Sequence, residues 1–201
     1  MIQDNLITLQ GVLTRIEKTD NINSMPFCGY EATVLTERNS GVTDEAIVII
    51  RDGLNVDNIR VNNAVLVTGA MQTVKNYITG KVLVFVYALD IREHIGEHWE
   101  YENEVRIHGQ LGKNIKYRET PAGKRITDIS LKVKNEIKLN DCFIPCICWQ
   151  ENADMVSKWN TGEKVVIKGR LQSRQYIKRI DEKTEETRTA YEVSISAIQK
   201  E

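Results

Sequence analysis

The chain has 201 residues, 41% of them hydrophobic, and its 27 basic and 28 acidic side chains leave a formal net charge of −1. That is enough apolar material for a buried core, in one large unit or two small ones. The longest apolar run, Val82 to Leu89, is far too short to cross a bilayer, and Met1 to Leu13 lacks the basic-then-hydrophobic layout of a signal peptide. No membrane partner and a cytoplasmic location are therefore expected.

The near-neutral total hides an asymmetry. Residues 1–102 carry 8 Lys and Arg against 14 Asp and Glu, whereas residues 103–201 carry 19 against 14. A phosphate-rich partner would be drawn to the second half and repelled by much of the first. An uneven surface without a ligand, or attraction between the halves, would leave the same imbalance. Four cysteines, Cys28, Cys142, Cys146 and Cys148, are too few and too unevenly spread to frame the chain, which points to reduced thiols.

In chain order, the pattern repeats after about 98 to 100 residues. Asn5–Leu13 (NLITLQGVL) matches Asn103–Leu111 (NEVRIHGQL), each alternating strand reaching a glycine, Gly11 or Gly109. Val65–Tyr77 runs parallel to Val165–Tyr176, with Gly69 and Gly169 central and a tyrosine further on. Val82–Ile91 and Tyr191–Ile198 close the two copies, both strand-like by their β-branched and aromatic content. In the second copy the strands read Glu104–Leu111, Ile126–Lys134, Cys142–Trp149, Lys164–Tyr176 and Thr189–Ile198. Between the third and fourth, Asn152–Trp159 has the spacing of a short amphipathic helix.

Five strands with a helix after the third is the OB-fold order. The expected fold is all-β: two tandem five-stranded OB-fold Greek-key barrels, each with a short helix between strands 3 and 4. The polar, acidic run Glu93–Glu102 marks the boundary, giving domains 1–95 and 103–201 with a linker over 96–102.

Five motifs of the second copy stand in a telling order. They are Asn103–Gly112 (NEVRIHGQLG), Thr120–Lys124 (TPAGK), Asp141–Trp149 (DCFIPCICW), Val165–Tyr176 (VVIKGRLQSRQY) and Thr189–Ile198 (TAYEVSISAI). Together they resemble the bacterial single-stranded DNA-binding protein family over about the C-terminal half. The resemblance implies an OB-fold protein that binds single-stranded DNA with little sequence preference, in replication, recombination or repair, without catalysis or cofactor.

Alternation in the third strand puts Cys142, Ile144, Cys146 and Cys148 on one face and Phe143, Pro145, Ile147 and Trp149 on the other. Either face could be the interior. The resemblance favours outward rings, because this strand carries binding aromatics in the family; Phe143 and Trp149 would then stand together, each stacking on an unpaired base. Tyr176, amid Arg170, Arg174, Lys178 and Arg179, adds a ring among cations that can contact phosphates; a solvated hairpin with Tyr176 capping the barrel is the alternative. Lys113, Lys116, Arg118, Lys124 and Arg125 around the first hairpin, and Lys132 and Lys134 at the end of the second strand, would extend the track.

Departures from the family matter too. Many members place a tryptophan near the end of the second strand, where Lys132–Glu136 (KVKNE) has no aromatic. Their long tail with an acidic tip is also missing after Ile198, so tail-dependent recruitment is expected to be absent; this likeness to the primosomal replication protein N branch leaves a protein-binding adaptor as the second reading. In the first copy Arg51 falls near the position of Trp149 and no aromatic matches Phe143. That copy is expected mainly to pair with other OB domains, with Phe27 and Tyr30 in core roles, and a homodimer follows from the resemblance. Replication or recombination proteins are further candidate partners.

Catalytic patterns are wanting. Cys142, Cys146 and Cys148 do not have zinc-ligand spacing, His94 and His98 lack the zincin glutamate, and Glu182, Glu185 and Glu186 lie in a charged hairpin tip, Asp181–Glu186.

Overall fold

A computed structural model describes residues 4–134, 136–137, 141–179, 181 and 184–201. In the first half the strands are β1 (Asn5–Ile22), β2 (Met25–Glu37), β3 (Thr43–Arg51), β4 (Ala64–Lys75) and β5 (Val82–Glu93). β1 pairs antiparallel with β2 and β4, β2 with β3 and β4 with β5, while β3 runs parallel to β5, so the five strands close into a barrel. The second half contains β6 (Glu102–Leu111), β7 (Lys116–Glu119), β8 (Arg125–Val133), β9 (Cys142–Trp149), the helix α1 (Gln150–Val156), β10 (Lys164–Arg179) and β11 (Glu185–Lys200). Among these, β6, β8, β9, β11 and β10 pair in the same cyclic order, again with one parallel step, β9 with β11. β7 is an extra strand, paired with β8 across the Thr120–Lys124 turn. No helix among the described residues is long and apolar enough to cross a membrane.

The repeat extends to individual atoms. Buried Asn5 donates through Nδ2 to the carbonyl of Met71 at 2.8 Å and accepts the Met71 N–H at 3.0 Å; Asn103 makes the same pair of bonds to Leu171, at 2.7 and 2.8 Å. Gly69 and Gly169 sit at equivalent bulges, between Thr68 and Gly69 and between Lys168 and Gly169. A Cβ on Gly69 would lie 2.5 Å from the Tyr87 carbonyl oxygen, and one on Gly169 would lie 2.3 Å from that of Ser194. Only glycine lets the strands coil this closely.

Alternation drives the packing. Ile7, Leu9, Val105, Ile107, Val165 and Ile167 are all 0% exposed, and they belong to one apolar cluster that runs through both halves. Each such side chain contributes about 1.5–3 kcal/mol relative to its exposed state. The halves are joined by an antiparallel ladder between β1 and β6, in which Asn5 faces Ile107, Ile7 faces Val105 and Leu9 faces Asn103. Ile7 and Val105 each lie opposite a bulge glycine, Gly69 or Gly169. Equivalent residues therefore meet, and the junction has the self-complementary form of a two-fold contact.

One expected element is missing from the first half. Residues 52–63 form turns and no helix. The segment is rich in Asp, Asn and Gly, whose side chains and backbones favour turns: the Asp57 N–H donates to Asn55 Oδ1 at 3.0 Å, and Gly53 and Asn62 have φ of 98° and 72°. In the second half the helix starts two residues earlier than the periodicity indicates, at Gln150. The expected charged tip Asp181–Glu186 lies partly outside the described residues.

Candidate nucleic-acid interface

Strand β9 sorts its side chains as alternation requires. Cys142, Ile144, Cys146 and Cys148 are at most 4% exposed and fill the barrel, whereas Phe143 is 50% exposed and Trp149 half-buried on the outside. Burial pushes all three thiols above their ordinary range, Cys148 to about 12 with Asp128 adding to the effect. They are neutral filling rather than reactive groups. Ile147 shares the outer face yet is only 4% exposed.

Phe143 and Trp149 share that face without standing together. Six residue steps along the strand separate them, about 20 Å at the usual rise. Phe143 lies across from Lys132 near one edge; Trp149 lies across from Ile126, which is in turn opposite Arg118 on β7. The Trp149 indole N–H donates to Ser194 Oγ at 3.0 Å, which fixes the ring plane. Tyr176, 37% exposed, stands on the long β10–β11 arm, with the Arg174 guanidinium 5.7 Å from its ring centre and Arg188 opposite.

The expected cations divide into two groups. Arg118 grips Asp128 with two bonds (2.7 and 3.2 Å), Arg125 pairs with Asp154 at 2.5 Å and Lys132 with Asp141 at 2.8 Å. Phosphates would have to compete for these three. Lys113, Lys116, Lys124 and Lys134 are exposed and make no ion pair with a carboxylate among the described residues. Lys178 lies opposite Glu186, and Arg179 donates through Nε to the Asp181 carbonyl at 3.3 Å. Arg170 faces the other way, toward the first half, with Nε 3.9 Å from Asp44.

The arm is docked. The Ser173 N–H donates to Asp44 Oδ1 at 2.8 Å, Ser173 Oγ accepts the Glu45 N–H at 2.9 Å, and Tyr191 sits against Glu45, its phenol pushed up first by burial and then by Glu45 and Glu31. Between arm and first half lies a groove of about 760 Å³, walled by Trp149, Arg170 and Arg174 on one side and by Arg38 and Val42 on the other. Arg38 was not among the residues expected from sequence. Its place on the groove wall depends on the β2–β3 turn meeting β10, a contact between residues more than 120 apart for which the sequence carries no pattern.

The first half is built differently at the equivalent face. The ladders align Arg51 with Trp149, Glu45 with Phe143, Val74 with Arg174 and Phe85 with Glu192. Ile49, Val74 and Phe85 are at most 2% exposed there, sealed by Ile22, Met25 and Phe27 from the β1–β2 hairpin. Tyr30 packs on the main core, so both Phe27 and Tyr30 have the packing roles expected of them. Tyr77 lies past the end of β4 in a tight turn and aligns with Ile177, one position from Tyr176.

The second half is thus a closed five-stranded barrel with rings and cations on its outer surface. Residues 102–200 match the model of the Single-strand binding protein family. Over 80 residues the chain is 32% identical to "Single-stranded DNA-binding protein 1" of Streptococcus pyogenes serotype M18 and 30% identical to "Single-stranded DNA-binding protein 3" of Streptococcus agalactiae serotype V. Those matches span 37% of the chain, and 62% and 58% of the two relatives, less than two thirds of either. The wild-type single-stranded DNA binding protein from Thermus aquaticus has the same fold over 98% of this chain and 92% of its own, with a TM-score of 0.75 at 19% identity.

Proposed function

We propose that the chain binds single-stranded DNA with little sequence preference and without catalysis, through base stacking on Phe143, Trp149 and Tyr176 and phosphate contacts from the cations around them. Each stacked base contributes about 1–3 kcal/mol. The observation that carries this reading is the orientation of β9: thiols fill the interior and a half-exposed phenylalanine and a tryptophan face outward. The order of strand pairings in each half supports two OB-fold barrels in tandem, domains 1–95 and 103–201 with a linker over 96–102. In this arrangement the first barrel serves as a rigid partner for the second, and two chains form a homodimer of four barrels. Replication, recombination or repair in the cytoplasm is the corresponding setting.

Trp149 reports directly on the interface. Adding a long poly-pyrimidine strand at low salt is expected to quench its fluorescence, with affinity falling steeply as salt rises. No quench and no binding would overturn the reading. The three cations already paired with carboxylates favour a second one, an adaptor that binds a replication protein; it requires full function after Trp149 and Tyr176 are both replaced by Ala.

A further inference from the structure

The groove beside Trp149 is more cationic than the surface around it. Arg38, Lys124, Arg170 and Arg174 line it, and no carboxylate does. It continues into a second groove of about 440 Å³, which shares Arg38, Asn103 and Arg170. Beneath the junction lies Asp44, 1% exposed. Both of its oxygens are engaged: Arg38 donates to them through Nε and Nη2, each at 2.6 Å, and the Ser173 N–H adds a third bond at 2.8 Å.

That leaves Arg170 with only a long, shared ion pair to Asp44. Its Nε is buried and has no hydrogen-bond acceptor; Asp44 is 3.9 Å away, and its one side-chain bond, from Nη2 to Gln172 Oε1, is long at 3.5 Å. At the corner itself two guanidiniums thus share one buried carboxylate, an excess of one positive charge there, while Glu37, exposed to solvent, lines the adjoining groove. Charge-assisted bonds to an anion are worth most where water is partly excluded. A monoanion with several acceptor oxygens matches the deficit, and guanidiniums suit its geometry.

We propose that this groove holds a backbone phosphodiester of the strand whose base stacks on Trp149, clasped between Arg38 of the first half and Arg170 of the second. The inference rests on the single-strand reading above and adds a residue from the half whose own face is sealed. Asp44 acts as a positioning residue, orienting Arg38 from below.

The test is a titration of poly-pyrimidine DNA, followed by Trp149 fluorescence over a series of salt concentrations. Wild type is compared with Arg38→Gln and with Arg170→Gln, which leaves the Arg38–Asp44 pair in place. Each removes the one positive charge in excess at the corner, and both are expected to bind about tenfold or more weaker at low salt. The slope of log affinity against log salt should become shallower by about 0.7, the loss of one phosphate contact. A merely structural Arg38 or Arg170 would not move that slope. If Arg38→Gln does not fold, Arg170→Gln decides. A folded Arg170→Gln variant with wild-type affinity and slope overturns the clasp while leaving the single-strand reading intact; wild type that neither quenches nor binds removes both.

Discussion

The two halves share a strand order and differ in what they do with one face. In the second half that face carries Trp149, Arg174 and Glu192 and stays open to solvent; in the first, the matching positions hold Arg51, Val74 and Phe85, and the apolar pair lies under the β1–β2 hairpin. The difference teaches that a barrel's outer face becomes an open platform or a second core according to whether its own hairpin folds across it. Phe85 and Phe143 are the pair that shows this most plainly, 0% and 50% exposed.

Truncating that pair should separate stability from binding. Phe85→Ala is expected to cost about 3–5 kcal/mol of stability by leaving a cavity in the sealed face, read from urea unfolding. Phe143→Ala should cost less than about 1 kcal/mol of stability yet lose about 1–3 kcal/mol of binding to poly-pyrimidine DNA. Equal unfolding midpoints for the two variants would break the comparison.

The repeated asparagine clamp comes next in size. Asn5→Ala and Asn103→Ala each leave a buried N–H and carbonyl unpaired, worth about 1–3 kcal/mol. The second should be the more damaging, because Asn103 also donates to Thr36 Oγ1 across the junction at 3.1 Å. The same unfolding series ranks them.

Cysteine ionisation gives a pH dependence that burial makes largest in the second half, while in the first the exposed Cys28 thiol is pushed up by its hydrogen bond to Asp52. The Cys148 thiol is held up at about 12 against an ordinary 9, so native protein keeps a proton that the unfolded chain releases. Stability is therefore complete below about pH 9 and is lost as pH rises toward 12, at about 1.4 kcal/mol per unit across that window. Cys148→Ala should flatten the alkaline limb, and an unchanged limb would show that another group titrates there. The smallest effect expected is a gain: Arg51→Trp, which places an exposed ring at the first half's counterpart of Trp149, should tighten binding by no more than the 1–3 kcal/mol of one stacked base.

Much of this was legible in the chain because it is periodic. The alternation through Cys142–Trp149 sorted β9 into two faces, with the resemblance indicating which turns outward, and the spacing of Gly69 and Gly169 marked equivalent strand positions that the structure shows to be bulges. The helix expected after β3 failed because a repeat in sequence does not transfer an element whose local residues, Asp52 to Asn63, prefer turns. Nor did alternation reveal that Arg118, Arg125 and Lys132 already hold carboxylates, since Asp128, Asp154 and Asp141 reach them only after folding. Arg38 was invisible for the same reason, its partners lying on β10. Residues facing one another through a ladder can be inferred; residues meeting at the corner between the two halves cannot.

The ladder between β1 and β6 has one consequence beyond packing. When two identical chains meet through such a contact, every substitution appears on both sides, so neither copy can change alone. Joining both partners in a single polypeptide keeps the handshake, with Ile7 still facing Val105, while lifting that obligation. In this chain one side carries a sealed wall and the other an open platform, a difference that two identical subunits could not hold.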